Sequence, residues 1–192
     1  MSYQYEVFFS YKRDTQSDAW HYEVKEKLRY WLSQELKQLT VQIFFDTEEI
    51  KTGQRWPRRL ADALRHSKCI VCIWSPLYFQ SKWCVSEWKT FVERENLCQT
   101  DLVLPATYHD GESFPPEAQA KQMADFSDYT STMPSFWKTE RAVDFEPLLR
   151  KFARDVADLI RRAPKYDDTF PVVEARDDQV KEESVIERPA NG

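Results

Sequence analysis

The chain has 192 residues and a formal net charge of −5 at pH 7, and 42% of it is hydrophobic, 15% aromatic. That is enough apolar surface for one ordinary domain with a packed core, so a wholly disordered chain is excluded. The longest apolar run, 69–74, is far short of the ~18 residues of a membrane helix, no basic start with an apolar stretch opens the chain, and no long basic block marks a nucleic-acid binder, so a cytosolic protein with neither a membrane nor a nucleic-acid partner is expected.

Tyr5-Glu6-Val7-Phe8-Phe9-Ser10-Tyr11 is rich in strand formers and leads into the charged loop Lys12-Arg13-Asp14. From about Asp18 to Leu39, Trp20, Val24, Leu28, Trp31, Leu32, Leu36 and Leu39 recur at three- and four-residue steps, which predicts an amphipathic helix. Gln42–Asp46 reads as a short second strand, followed by a polar loop over residues 47–55 that holds Gly53. Residues 57–67 carry Leu60, Ala63 and Leu64 and predict a second helix, with Pro57 suited to its first turn.

Cys69–Trp74 is continuously apolar, the pattern of a parallel strand buried on both faces. Ser75-Pro76 reads as an N-cap with proline at the first helical position, opening a helical stretch to about Asn96 that has room for a break. Leu102–Ala106 is a fourth strand, and its Pro105 argues for an edge or a strand end. A short fifth strand is expected at Phe126–Tyr129, and a last helix, capped by Asp144, runs until Pro164. Residues 1–164 are thus expected to form one domain. Residues 165–192 carry eight acidic and four basic residues without helical periodicity, and are expected to be an acidic flexible tail or linker. Strands alternating with helices imply an α/β protein with a mostly parallel sheet, whose ligands bind beyond the carboxyl ends of the strands. Segments 10–14, 46–56 and 75–87 compete for that place.

Glycines stand only at 53, 111 and 192, which excludes a P-loop and a dinucleotide-binding glycine fingerprint. Cys69 and Cys72 have the spacing of half a zinc site, but residues three apart on a strand face opposite sides, and no second pair completes the set. All four cysteines, 69, 72, 84 and 98, read as buried or semi-buried thiols, and no metal site is expected. His21, His66 and His109 form no ligand pair and read as surface or packing residues.

Trp83 and Glu87, four apart in the helical region after the third strand, lie about 40° apart on one helix face. An indole beside a carboxylate suits a sugar with an aromatic leaving group: the ring stacks, and the carboxylate stabilises positive charge growing on the ribose. A core tryptophan beside a surface glutamate has the same spacing.

Three blocks together resemble the TIR (Toll/interleukin-1 receptor) domain family. Tyr5–Tyr11 is similar to its first box. Phe44-Phe45-Asp46, the polar loop to Gly53, and Trp56-Pro57 are similar to its second strand and BB loop. Cys69–Pro76 followed by Ser81-Lys82-Trp83-Cys84-Val85-Ser86-Glu87 resembles its third strand and glutamate segment, in the SxWCxxE form of bacterial and plant-type members. The resemblance covers roughly residues 3–163; the 107–144 region matches least.

It implies a flavodoxin-like fold with a central, mostly parallel five-stranded sheet and helices on both faces. It also implies an NAD⁺ glycohydrolase giving nicotinamide and ADP-ribose or a cyclic ADP-ribose, with NAD⁺ as substrate and no cofactor or metal. Glu87 takes the catalytic role. Trp83 lines the nicotinamide side with Ser81 beside it, Ser10, Tyr11, Lys12 and Arg13 meet the nucleotide's pyrophosphate region, and Asp46, Gly53 and Trp56 belong to the covering BB loop. Family members act by self-assembly through TIR–TIR contacts and the BB loop, here residues 47–56, which fits antiphage immune defence. Read as residues alone, Lys12 and Arg13 are equally solvated loop charges, Trp56 and Trp83 core anchors, and Gly53 a turn that needs a positive φ. Two other functions stay open at this point: a non-catalytic signalling or scaffold module acting through TIR–TIR contacts, and a nucleoside ribosyltransferase.

Overall fold

The computed structural model describes residues 2–46 and 58–175. Five strands form one sheet in the order β2-β1-β3-β4-β5, every pair parallel. The strands are β1 (Tyr5–Tyr11), β2 (Ile43–Phe45), β3 (Ser67–Trp74), β4 (Val103–Thr107) and β5 (Ala124–Asp125). The helices are α1 (Asp18–Leu36), α2 (Arg58–Arg65), α3 (Pro76–Phe79), α4 (Lys82–Cys98), α5 (Pro116–Gln119) and α6 (Glu140–Arg162). This is the flavodoxin-like doubly wound order, and the expected fold class stands.

The two faces of the sheet explain the composition of the strands. Val7, Phe9, Cys69, Val71 and Ile73 point to one face and pack under α1 and α6. Phe8, Ile70, Cys72 and Trp74 point to the other and pack under α2, α3 and α4. Both faces of β1 and β3 are therefore buried, which is why both strands read as apolar runs rather than alternating ones. Cys69 and Cys72 fall on opposite faces, as strand geometry requires, and Cys69, Cys72 and Cys84 are buried free thiols while Cys98 is half-buried.

Several local signals held. Ser75 caps α3, accepting from Tyr78 N at 3.2 Å. The helical stretch does break, at Gln80-Ser81, and Ser81 then caps α4 by accepting from Cys84 N at 3.5 Å. Because glycine is scarce, the left-handed positions that end α1 and α4 are filled by Lys37 (φ 55°) and Gln99 (φ 52°).

Three expectations are corrected. The fifth strand is Ala124–Asp125, not Phe126–Tyr129, because residues 127–129 turn into a 3₁₀ helix. The last helix starts at Glu140 after Thr139, not at Asp144. Pro105 is not at a sheet edge or strand end: it sits within β4, between β3 and β5, opposite Cys72. It is tolerated there because Leu102 and Tyr108, of the other parity, make the bonds to β3, while its own nitrogen faces the β5 side, where pairing begins only at Ala106.

The first part of the segment expected to be a tail runs along the domain instead. Phe170 is buried, Tyr166 stacks on His66 with its hydroxyl 2.9 Å from the imidazole Nε2, and Val173 N–H donates to Thr90 Oγ1 at 2.9 Å. The sequence shows no periodicity there because the segment is held by isolated anchors rather than by a regular element. Residues 176–192 lie outside the described part.

Candidate functional site

The connection from β2 through α2 to β3 returns across β1, so β1 and β3 are neighbours whose onward helices, α1 and α3–α4, cover opposite faces. Their carboxyl ends splay apart at this switch point and leave a crevice. A cleft of about 560 Å³ opens there, within the roughly 300–1,000 Å³ of small-molecule sites. It is lined by Tyr11, Lys12, Arg13 and Asp14 after β1, by Asp46 after β2, and by Ser81, Trp83, Cys84 and Glu87 of α4. Thus 10–14, the start of 46–56 and the end of 75–87 do meet. They are roughly 30 to 75 residues apart in sequence, and parallel pairing of β1 with both β2 and β3 is what joins them.

Glu87 lies at the inner end of the cleft, on the first turns of α4, where the helix crosses the end of β1. Its residue is 8% exposed. Ser10 Oγ donates to Glu87 Oε2 at 2.6 Å, the length of a hydroxyl–carboxylate bond. Burial is the main influence on the carboxyl and pushes its pKa up to about 8; the Ser10 hydrogen bond opposes this and the Asp46 charge adds to it. Trp83, one turn earlier, also lines the cleft, so the shared helix face expected from the four-residue spacing is observed. Trp88, Phe91 and Val85 take the other side of α4 into the core.

Lys12 and Arg13 are half-buried at the cleft rim, and Lys12 Nζ donates to the Arg13 carbonyl at 3.2 Å. Tyr11 is buried in a column of rings: Phe45 at 4.8 Å on one side and His21 at 4.6 Å on the other, with Tyr108 5.2 Å beyond His21. Burial holds the His21 pKa down to about 4, so the imidazole is a neutral packing group, with Nδ1 2.9 Å from the Ser17 carbonyl oxygen. Asp46 is paired with Arg59 of α2.

Two expected site residues have other jobs. Ser10 does not line the cleft: it is buried beneath it and its hydroxyl is turned to Glu87. Ser81 lines the cleft, yet its hydroxyl is used in capping α4. Gly53 and Trp56, and the BB-loop assignment to 47–56, lie outside the described residues.

Sequence reasoning missed Tyr78, whose hydroxyl is 2.8 Å from Ser10 Oγ. Its only local signal was a place in a capped turn. It also missed Asp18 as a cleft residue; Asp14, inside the expected segment 10–14, forms the turn there, accepting from Gln16 N at 2.7 Å and Ser17 Oγ at 2.7 Å. Among the described residues no group of acidic, histidine or cysteine side chains has the arrangement of a metal site, and no helix is long and apolar enough to cross a membrane.

Comparisons with known proteins place the chain in a family. The probable 2′ cyclic ADP-D-ribose synthase BdTIR of Brachypodium distachyon is 26% identical over 121 residues, 59% of this chain and 50% of that protein. The chain therefore spans about half the length of that curated relative. The TIR domain of the Toll-related receptor TRR-2 of Hydra magnipapillata aligns with TM-score 0.47 and 18% identity, over 80% of this chain and 98% of that one. The TIR domains of the activated Roq1 resistosome align with TM-score 0.40 and 20% identity, over 81% and 84% of the two chains. The TIR domain family model matches residues 7–136, a span that holds every strand of the sheet except the first two residues of β1, and the whole described cleft; the chain belongs to the TIR domain family.

Proposed function

We propose that the domain cleaves the nicotinamide–ribose bond of NAD⁺. The observation that carries this reading is a buried, hydrogen-bonded Glu87 at the inner end of a cleft whose rim holds Lys12 and Arg13 and whose wall holds Trp83. The relative's name adds support: a cyclic ADP-ribose is built from what remains of NAD⁺ once nicotinamide has left.

The chemistry needs few groups. Nicotinamide departs neutral, so no general acid is required, and one carboxylate serves where ordinary glycosidases use two. The pyrophosphate sits by Lys12 and Arg13, the pyridinium ring against Trp83, and the ribose hydroxyls on Glu87. As the bond breaks the ribose becomes oxocarbenium-like, and an anionic Glu87 in a water-poor site stabilises that charge more than it stabilised the ground state. Water then traps the cation to give ADP-ribose; a nucleophile of the same molecule gives a cyclic product. Activation by self-assembly, with residues 47–56 against a neighbouring copy, and a role in immune defence are parts of the same proposal and rest on the family's habits.

The test is nicotinamide release from NAD⁺, followed by chromatography at high protein concentration with a crowding agent. Release with ADP-ribose or a cyclic ADP-ribose as companion product supports the reading. Absence of release under every assembly condition favours a scaffold module, and cleavage of free nucleosides instead would favour a ribosyltransferase.

Two further outcomes are expected. Because the free carboxyl is held near 8 by burial and only its anion is useful, kcat/KM should rise about tenfold per pH unit between pH 6 and 8 and level off above. A flat profile from pH 6 to 9 would remove Glu87 from that role. Lys12→Met and Arg13→Met should each raise KM for NAD⁺ about tenfold, the equivalent of one charge-assisted contact, with kcat little changed. Steady-state kinetics at two salt concentrations would check this, since the effect should shrink as salt screens the rim.

A further inference from the structure

An ionised Glu87 can only accept, so in that state the single proton of the Ser10 hydroxyl goes to Glu87 Oε2 across the 2.6 Å contact. The 2.8 Å contact between Ser10 Oγ and Tyr78 Oη must then be donated by the phenol. The result is a directed chain, Tyr78 to Ser10 to Glu87, running from α3 through β1 to α4. Tyr78 and Ser10 are at most 1% exposed, and neither lines the cleft.

We propose that Tyr78 and Ser10 are positioning residues for Glu87: the chain locks one carboxylate oxygen inward and so leaves the other free to meet the ribose. The inference rests on the NAD⁺-cleavage reading for its kinetic consequences, but not for its structural ones. Its logic is orientation. A glutamate side chain has three rotatable torsions, and a carboxylate held by one donor on its buried oxygen keeps a single pose. Neither residue alone suffices. Without Ser10 the carboxylate has no inner donor. Without Tyr78 the serine hydroxyl loses the donor that keeps its lone pair occupied, and is free to rotate its own proton away from Glu87.

Hydrogen bonds donated to a carboxylate also favour its anion, so the chain has a pH signature. The charged and titratable groups around Glu87 are Tyr11 at the end of β1, Lys12 after it, Asp46 after β2, Cys72 from β3, Tyr78 from α3 and Cys84 from its own helix. Of these Tyr78 reaches the carboxylate through a hydroxyl relay, and Cys72 shares a hydrogen bond with Tyr78; the rest act through space. Tyr78→Phe keeps the ring packing and removes the relay together with the hydrogen bond to Cys72.

The experiment has two readouts. The first is the pH profile of nicotinamide release by wild type, Tyr78→Phe, Ser10→Ala and the double variant. The acid limb should move up by about half a pH unit in Tyr78→Phe and about one in Ser10→Ala. kcat should fall with KM for NAD⁺ within twofold, and the double variant should match Ser10→Ala, because Tyr78 acts through Ser10. The second is the titration of the Glu87 carboxyl carbon, followed by NMR in glutamate-labelled protein with Glu87→Gln as the assignment control, which needs no activity. Its midpoint should move up in the same order. Folded Tyr78→Phe protein with an unmoved carboxyl titration, or effects that simply add in the double variant, would overturn the chain. A wild type that releases no nicotinamide but whose carboxyl midpoint moves as expected would overturn the catalytic reading and leave the chain standing.

Discussion

Glu87→Gln is expected to abolish nicotinamide release while making the domain harder to unfold. The loss of rate should be at least about 100-fold, the usual effect of removing one group that stabilises charge only in the transition state. The gain in stability follows from the same burial. A carboxyl near 8 in the fold and near 4.5 when exposed binds its proton more tightly folded than unfolded. Its contribution is fully present below pH 4.5 and is lost as the pH rises to about 8, where the folded domain must hold an anion in a site that resists it. Glutamine still accepts from Ser10 and carries no charge, so the variant should gain on the order of 2 kcal/mol above pH 8 and little near pH 5. Thermal unfolding across pH 5–9 beside the NAD⁺ assay checks both halves. Equal melting of the two proteins at pH 9 would mean that water or Lys12 already compensates the carboxylate.

Arg94→Ala should cost about 3–5 kcal/mol and is the largest stability effect expected of a residue outside the cleft. Arg94 is fully buried on α4. Its guanidinium donates to the carbonyls of Ser67 at 2.8 Å and Leu64 at 3.0 Å, and it lies 4.5 Å from the ring of Phe91 and 4.4 Å from that of Phe170. Alanine leaves two carbonyls without donors, opens a cavity, and releases the aromatic anchor of the 164–173 segment. Burial lowers its pKa to about 10, so it stays charged at neutral pH. Lysine is no remedy: an ammonium is a single point and does not reproduce a planar fork between two rings. Urea unfolding reads the loss, and hydrogen exchange should report early opening at Val173, whose N–H is held by Thr90 on the same helix. A loss below 1 kcal/mol would mean that solvent reaches both carbonyls.

Much of the fold was legible because burial writes itself into periodicity. Cys69–Trp74 had to be a strand covered on both faces, α1 had to show one apolar stripe, and Trp83 and Glu87 had to share a helix face. The errors fall where local pattern is weakest. β5 is two residues long, too short for any period to show. Pro105 looked like an edge because the rule concerns a missing N–H, and only the neighbouring strands show that this nitrogen has no partner to lose. Phe170 and Val173 looked like tail residues because what holds them is Arg94 and Thr90, some 80 residues earlier.

The sequence by itself determined the fold class, the order of elements and, by resemblance, the family, and with it Glu87 as the candidate on which the proposed function rests. Fold class and element order follow from periodicity and caps within about ten residues; the family and Glu87 follow from the resemblance of the motif blocks, not from spacing. Only the tertiary structure decided what surrounds that carboxylate. Ser10 read as a substrate contact and is a donor beneath the cleft; Tyr78 read as a capped-turn residue and feeds Ser10; His21 is a neutral ring in an aromatic column. The physical reason is the parallel sheet. Neighbouring parallel strands must be joined by long crossovers, so the groups that share a site at their carboxyl ends come from positions far apart in the chain, and no local pattern carries the geometry between them.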